Sequence, residues 1–170
     1  MYAANHGSAL DIPILFAHLP VDFRIIHKRS LYLIPVVGAY LYLGRHIGID
    51  RGSAFRARRS LAQAAKRIRR GTSVAVFPEG TRSRDATVRA FKRGSFVLAL
   101  SAGVPVVPIS LEGVKRLAPR GLLRLEPGTV HLTIHPAVST AGRDARDAAA
   151  LADEVWRVVM RGCATQGGAA

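Results

Sequence analysis

Short apolar runs alternate along this chain with stretches patterned as helices, and that alternation limits the folds open to it. The run "TSVAVF", stopped by Pro78, reads by length and composition as a buried strand. "DFRIIHK" and "HIGID" are shorter strand candidates, residues 104–111 form another, and "TVHLTIHPAV" has the alternating character of a strand. Helical patterns lie between them. Asp11-Ile12-Pro13 looks like a helix start, with an Asp N-cap and proline in the first turn. Residues 53–70 predict a helix from Ser53 as N-cap, from Leu61, Ala65 and Ile68 at helical spacing, and from a basic last turn before Gly71. Residues 94–102 and 144–161 predict two more, and residues 31–43 a helix or a helix broken around Pro35 and Gly38.

This order predicts a single α/β domain whose mixed, largely parallel sheet is flanked by helices on both faces. No repeat and no linker divides the chain, so the domain is expected over residues 1–161, with residues 162–170 as a disordered tail.

Charge narrows the choice of partner. The 170 residues hold 25 Lys and Arg against 11 Asp and Glu, a net charge of +14, which suits nucleic acid, an acidic lipid surface or a phosphorylated substrate. Nucleic acid is the weakest of these: aromatics make up only 6%, no nucleic-acid motif occurs, and the basic residues do not interleave with stacking side chains. Residues 51–70 carry eight basic side chains and no acid, which reads either as a solvated face or as a contact for anionic lipid head groups, each Lys or Arg there contributing about 1 kcal/mol.

A mean hydropathy of +0.17 leads us to expect some exposed apolar surface. Neither long apolar run suits a spanning helix. "LYLIPVVGAYLYLG" is short of the roughly 20 residues required and contains Pro35, and "GSFVLALSAGVPVVPISLEGV" is broken by Gly103, Pro105 and Pro108. A peripheral or monotopic association stays open. The single cysteine, Cys163, excludes an internal disulfide and fits a reducing cytoplasm.

Two stretches carry candidate chemistry. In "NHGSALD", His6 is a side chain able to accept a proton near neutral pH, and Asp11 is a carboxylate able to orient it. Five positions apart they do not share the face of a straight helix, so the pair requires a turn at Gly7-Ser8. Otherwise His6 is a loop histidine and Asp11 only an N-cap. "VFPEGTRS" follows a buried strand, where ligands bind in α/β sheets. There Gly80 permits a tight turn, Arg82 offers a planar fork to a phosphate, and Glu79 can accept from a hydroxyl or hold the arginine. Arg89, Lys92 and Arg93 add positive charge downstream, and Arg51 ends the strand candidate in "IGIDR".

In order and spacing, "NHGSALD", "HIGIDR", "FPEGTRS" and "VPVVPIS" resemble the four sequence blocks of the glycerolipid acyltransferase family, typified by 1-acyl-sn-glycerol-3-phosphate acyltransferases. The likeness covers residues 4–115. It implies the α/β fold of a glycerol-3-phosphate acyltransferase-like domain, and one-step transfer of a fatty acyl group from acyl-CoA or acyl-carrier protein to 1-acyl-sn-glycerol 3-phosphate, giving phosphatidic acid. It assigns His6 and Asp11 as catalytic, and Arg51, Glu79, Gly80, Thr81, Arg82 and Lys92 to acceptor binding. Val104, Pro108 and Ile109 would shape the acyl pocket.

No metal and no cofactor beyond the acyl donor is implied. The expected partners are the lyso-phospholipid, the acyl thioester and an anionic membrane surface, with acyl-carrier protein among the donors, at the cytoplasmic face of the inner membrane. Another lyso-lipid acceptor such as a lyso-ornithine lipid, a hydrolase with water as nucleophile, and a lipid-binding module without turnover stay open.

Two departures stand out. Gly48 occupies a position that is usually bulky and apolar in the family, and Arg45 one where glycine is common. Only Met1 to Ala4 precede the histidine block, where relatives carry a strand and an apolar segment, so the expectation is a truncated N-terminus or a lost first strand.

Overall fold

The computed structural model describes residues 1–83, 87–118 and 125–164. Six strands form one sheet in the order β3-β2-β4-β1-β5-β6. They are β1 (Tyr2–Ala4), β2 (Phe23–Lys28), β3 (Ile47–Ile49), β4 (Ser73–Val76), β5 (Val107–Glu112) and β6 (His131–Ile134). All pairs are parallel except β5 with β6. The helices are α1 (Asp11–His18), α2 (Val37–Leu43), α3 (Ala54–Arg69), α4 (Arg93–Ala102), α5 (Val114–Leu117) and α6 (Ala148–Ala164). The expected mixed, largely parallel sheet is the sheet observed.

Alternation along the strands divides the core in two. Ala3, Val74, Val76 and Val106 point to the face covered by α3, α4 and α6. Ala4, Ile25, Ala75, Ile109 and Leu111 point to the other, where Leu15 and Leu19 of α1 and its C-terminal end pack. Both faces are covered, as a parallel sheet requires, and burial rather than propensity holds the short strands in place.

The expectation of a lost first strand is corrected. Tyr2–Ala4 is a strand, and it lies at the centre of the sheet with Ala3 opposite both Val76 and Pro108. Three residues are too few for a periodicity to show. The next residue extends the ladder with its side chain: Asn5 Nδ2 donates to Leu111 O, and Leu111 N donates to Asn5 Oδ1, each at 2.8 Å.

Most predicted helices stand within a residue or two of their expected ends. Ser53 caps α3 by accepting from Arg56 N. The 31–43 segment is broken as anticipated, into a 3-10 turn (Arg29–Leu33) and α2, with Val36 at a φ of 65° between them. The disordered tail is corrected in part: α6 runs to Ala164, so residues 162–164 are helical, while 165–170 lie outside the described residues.

Both departures from the family pattern have a local reason. Arg45 has a φ of 52°, in the left-handed region where glycine is at ease. A Cβ on Gly48 would come within 2.7 Å of the Tyr32 ring, so in this chain the aromatic side chain fills the space that a bulky residue would take.

Candidate active site

Because β1 to β5 run parallel, the residues that follow them gather along one edge of the sheet. His6 follows β1, Asp50 and Arg51 follow β3, the loop from Phe77 to Ser83 follows β4, and Gly113 follows β5. This is the edge where open α/β sheets bind ligands.

The turn that the His6 and Asp11 pairing needs is present. His6 Nδ1 lies 2.7 Å from Asp11 Oδ2, with the aspartate side chain fully buried and the histidine partly exposed. The same carboxylate oxygen accepts from Gly7 N at 2.8 Å and Ser8 N at 2.9 Å. The N-cap reading of Asp11 is therefore corrected. Leu10 takes the cap position, Asp11 is the first helical residue, and its carboxylate turns back to close the Gly7-Ser8 loop. With Nδ1 donating to Asp11, the free Nε2 is the basic nitrogen of the imidazole. Phe77 stacks on the ring at a centroid distance of 4.1 Å and fixes its plane.

The loop after β4 wraps this histidine. Glu79 Oε1 accepts from His6 N at 2.7 Å, Glu79 Oε2 from Arg89 N at 3.2 Å, and Ser83 N donates to His6 O at 2.9 Å. Burial pushes the Glu79 carboxyl above its ordinary range, and the two backbone N–H groups pull it back. Each Glu79 oxygen thus accepts from a backbone N–H, and the side chain ties the loop after β4 to His6. Gly80, at φ 78°, turns the chain beside Lys92, whose Nζ would stand 3.0 Å from a Cβ there. Thr81 and Arg82 are exposed on the same loop, next to the Ser83 that bonds His6.

A cavity of about 310 Å³ opens beside Phe77. Ile26, Ile49, Leu61 and Leu98 supply apolar wall, and Arg51, Gly80 and Lys92 also line it. Three predicted acceptor-binding residues thus meet in one cavity, although 41 positions separate Arg51 from Lys92.

The predicted acyl-pocket residues are not brought there. Ile109 is buried in the core of the opposite face, Pro108 is buried, and Val104 packs beside α4 before β5 begins. Strand β5 is separated from β4 by β1, whereas the cavity lies over β2, β3 and β4. The apolar wall therefore comes from the strand and helix residues named above. Composition marked these as core, and nothing in their spacing distinguishes a lining residue from a packed one.

Phe77 and Asn5 were visible in the motifs, but their roles were not. A second cavity, of about 270 Å³, lies on the far side of the pair, lined by Asn5, Gly7, Asp11, Leu111, Lys115 and Cys163 among others. Asp11 Oδ1 is buried with no hydrogen-bond partner among the described residues. Among the described residues no group of three or more His, Cys, Asp or Glu is placed to hold a metal ion.

The chain is similar to proteins that carry one name. It is 42% identical over 139 residues to a 1-acyl-sn-glycerol-3-phosphate acyltransferase of Chlamydomonas reinhardtii, covering 81% of this chain and 42% of that one. It is 33% identical over 157 residues to the human 1-acyl-sn-glycerol-3-phosphate acyltransferase beta, covering 92% and 56%. The crystal structure of the 1-acyl-sn-glycerophosphate (LPA) acyltransferase PlsC from Thermotoga maritima superposes with a TM-score of 0.81 at 35% identity, over 98% of this chain and 66% of that one. The chain thus spans about half the length of the curated relatives it matches. The family model described as Acyltransferase matches residues 1–112, from before β1 to the end of β5, and takes in the His6–Asp11 pair, Arg51 and the loop around Glu79: this chain belongs to the acyltransferase family.

Proposed function

We propose that this chain transfers a fatty acyl group from an acyl thioester, acyl-CoA or acyl-carrier protein, to the free hydroxyl of 1-acyl-sn-glycerol 3-phosphate, giving phosphatidic acid. The observation that carries the reading is the oriented imidazole, with His6 Nδ1 2.7 Å from Asp11 Oδ2, beside a cavity that has an apolar wall and two cationic side chains.

His6 Nε2 takes the proton from the acceptor hydroxyl as its oxygen attacks the thioester carbonyl. The tetrahedral intermediate collapses, the carbon–sulfur bond breaks, and the departing thiolate takes the proton back from the imidazolium. Asp11 holds the tautomer and stabilises the transient cation. General-base assistance of this kind is worth about 10² to 10⁴ in rate, and positioning and oxyanion stabilisation supply the rest.

Arg51 and Lys92 receive the acceptor phosphate in this reading, with Arg82 on the rim and Thr81 beside it. Two cations facing one cavity favour a phosphate-bearing acceptor over a lyso-ornithine lipid, which has none. Glu79 and Gly80 shape the loop. Ile26, Ile49, Leu61 and Leu98 contact acyl chain. The enzyme works peripherally on the cytoplasmic face of the inner membrane, drawn to anionic lipid by its charge of +14. No helix among the described residues is long and apolar enough to cross a membrane.

The test is direct. Purified chain with acyl-CoA or acyl-carrier protein and lysophosphatidate is expected to form phosphatidic acid by mass spectrometry, and His6→Ala to abolish most of it. Free fatty acid appearing at the same rate with and without acceptor would instead show a hydrolase.

A further inference from the structure

The large apolar side chains exposed among the described residues are concentrated in one segment. Leu33, Ile34, Val36, Val37, Tyr40 and Leu43 all face solvent, Leu33 at 85% and Val36 at 82% exposure. They lie on the end of the 3-10 turn, the link after it and α2, and Phe16 of α1, in edge contact with Tyr40, continues the patch. A contiguous apolar surface of this kind marks an interaction site.

The segment is rigidly held. A Cβ on Gly38 would stand 2.2 Å from Tyr32 O, so α2 packs directly against the backbone of the preceding turn. Tyr32 Oη donates to His46 O, and Leu41 is buried beneath the helix. Val36 sits at φ 65°, a conformation costly for a β-branched residue, and it gains no burial within the chain for doing so. The chain displays these side chains at the cost of strain.

Charge identifies the occupant. No Asp or Glu stands between Asp22 and Asp50, while Arg24, Lys28, Arg29 and Arg45 do. Lys28, Arg29, Arg51 and Arg56 line a groove together with Tyr32 and Leu33 at the root of the patch, four cations against one acid, Asp50, which lies 3.9 Å from Arg56. A second copy of this chain docking face to face would press two basic rims together, whereas an anionic bilayer neutralises the rim and takes up the apolar side chains. The turn lies on the site edge of the sheet, because β2 ends there at Lys28 and runs parallel to β4 and β3.

We propose that residues 33–43 form a wedge that inserts into the interfacial layer of an anionic bilayer, with the basic groove on the head groups. Arg51 lines both this groove and the 310 Å³ cavity, so the docked orientation opens the cavity toward the head-group layer. The inference deepens the reading above and rests on it only for the purpose of docking. Binding itself is independent of turnover.

The experiment uses the whole chain and vesicles of equal parts phosphatidylglycerol and phosphatidylcholine. Val36→Asp combined with Leu43→Asp alters only exposed side chains, and unchanged circular dichroism and melting temperature check the fold. Its partition onto these vesicles in co-sedimentation is expected to fall by about tenfold or more, while Ile134→Asp on the far-edge strand β6 binds like the parent. An environment-sensitive dye on Val36→Cys in a Cys163→Ser background is expected to shift to the blue on these vesicles and not on pure phosphatidylcholine.

Unaltered binding by the double variant overturns the proposal. So does an unshifted dye on bound protein, or a concentration-dependent dimer that the variant abolishes. Turnover of a short-chain lysophosphatidate below its micelle concentration keeps the two readings apart. The double variant is expected to match the parent on that soluble substrate, and failure of the parent there would sink the acyl-transfer reading alone.

Discussion

Glu79 holds the backbone of His6. Its Oε1 accepts from His6 N at 2.7 Å across 73 positions of sequence, and its other oxygen accepts from Arg89 N. A carboxylate that is 2% exposed is costly to bury, and here backbone donors meet both oxygens, so the charge is spent on locking one loop to another. This lock fixes the backbone of His6, while Asp11 holds its ring.

Glu79→Gln is expected to lower stability by about 1–3 kcal/mol, because an amide offers one acceptor where two donors converge and leaves its own NH₂ against a backbone N–H. Urea unfolding followed by circular dichroism measures it. Loss of the His6 geometry should show as a fall in kcat larger than the change in KM.

His6→Ala is expected to reduce kcat/KM by about 10² to 10⁴ with the fold intact, since a partly exposed ring is removed. Asp11→Asn should fall within the same range. Its Oδ1 is able to take the three donors that now meet Asp11 Oδ2, while the charge that stabilises the imidazolium is gone. Initial rates on lysophosphatidate, with melting temperatures alongside, decide both.

Arg51→Ala and Lys92→Ala are each expected to raise KM for lysophosphatidate by about tenfold to a hundredfold with a smaller effect on kcat, as loss of a charge-assisted contact to phosphate predicts. A neutral lyso-lipid of the same chain length, assayed in parallel, should show little difference between parent and variants.

His46 makes stability depend on pH. Burial, with His27, Arg24 and Arg67 adding repulsion and Asp22 opposing them, holds its pKa below the ordinary 6.5. The unfolded chain therefore binds the proton more readily, and the stability His46 contributes is present above 6.5 and lost as pH falls toward the folded value. Its Nδ1 accepts from Ile25 N at 3.0 Å, a bond that needs the neutral ring. His46→Asn, which keeps an acceptor in place, is expected to lose less melting temperature than the parent between about pH 7.5 and about pH 5. Scanning fluorimetry across that range is the measurement.

Gly38→Ala is expected to cost about 1–3 kcal/mol, since the new methyl meets a backbone carbonyl that cannot give way without moving the 3-10 turn. A shift in the denaturation midpoint with an unchanged m-value would place the effect in the folded state.

How much of this was legible beforehand varies residue by residue. Ser53 and the spacing of Leu61, Ala65 and Ile68 announced α3, because capping and helical period are properties of neighbouring residues. The run ending at Pro78 announced β4 in the same way. The triplet Tyr2–Ala4 gave no such signal, being too short to carry a period, and it became the central strand only because β4 and β5 flank it. Glu79 looked like a ligand to substrate for a similar reason, since its backbone partners lie 73 and 10 positions away. Val104, Pro108 and Ile109 were apolar enough to line a pocket, but the strand order puts β1 between the strand of Pro108 and Ile109 and the cavity, and Val104 packs against the core before that strand begins.

The amino-acid order alone determined most of the elements and their sequence along the chain, the basic character and the set of groups able to move a proton or hold a phosphate, all of which follow from short-range periodicity and side-chain chemistry. Only the tertiary structure decided that Gly7 and Ser8 close Asp11 onto His6, that Arg51 and Lys92 face one cavity, and that residues 33–43 stand out from the core. These are matters of which strand ends a parallel sheet brings to one edge, and the crossover connections fix that over separations no local pattern spans.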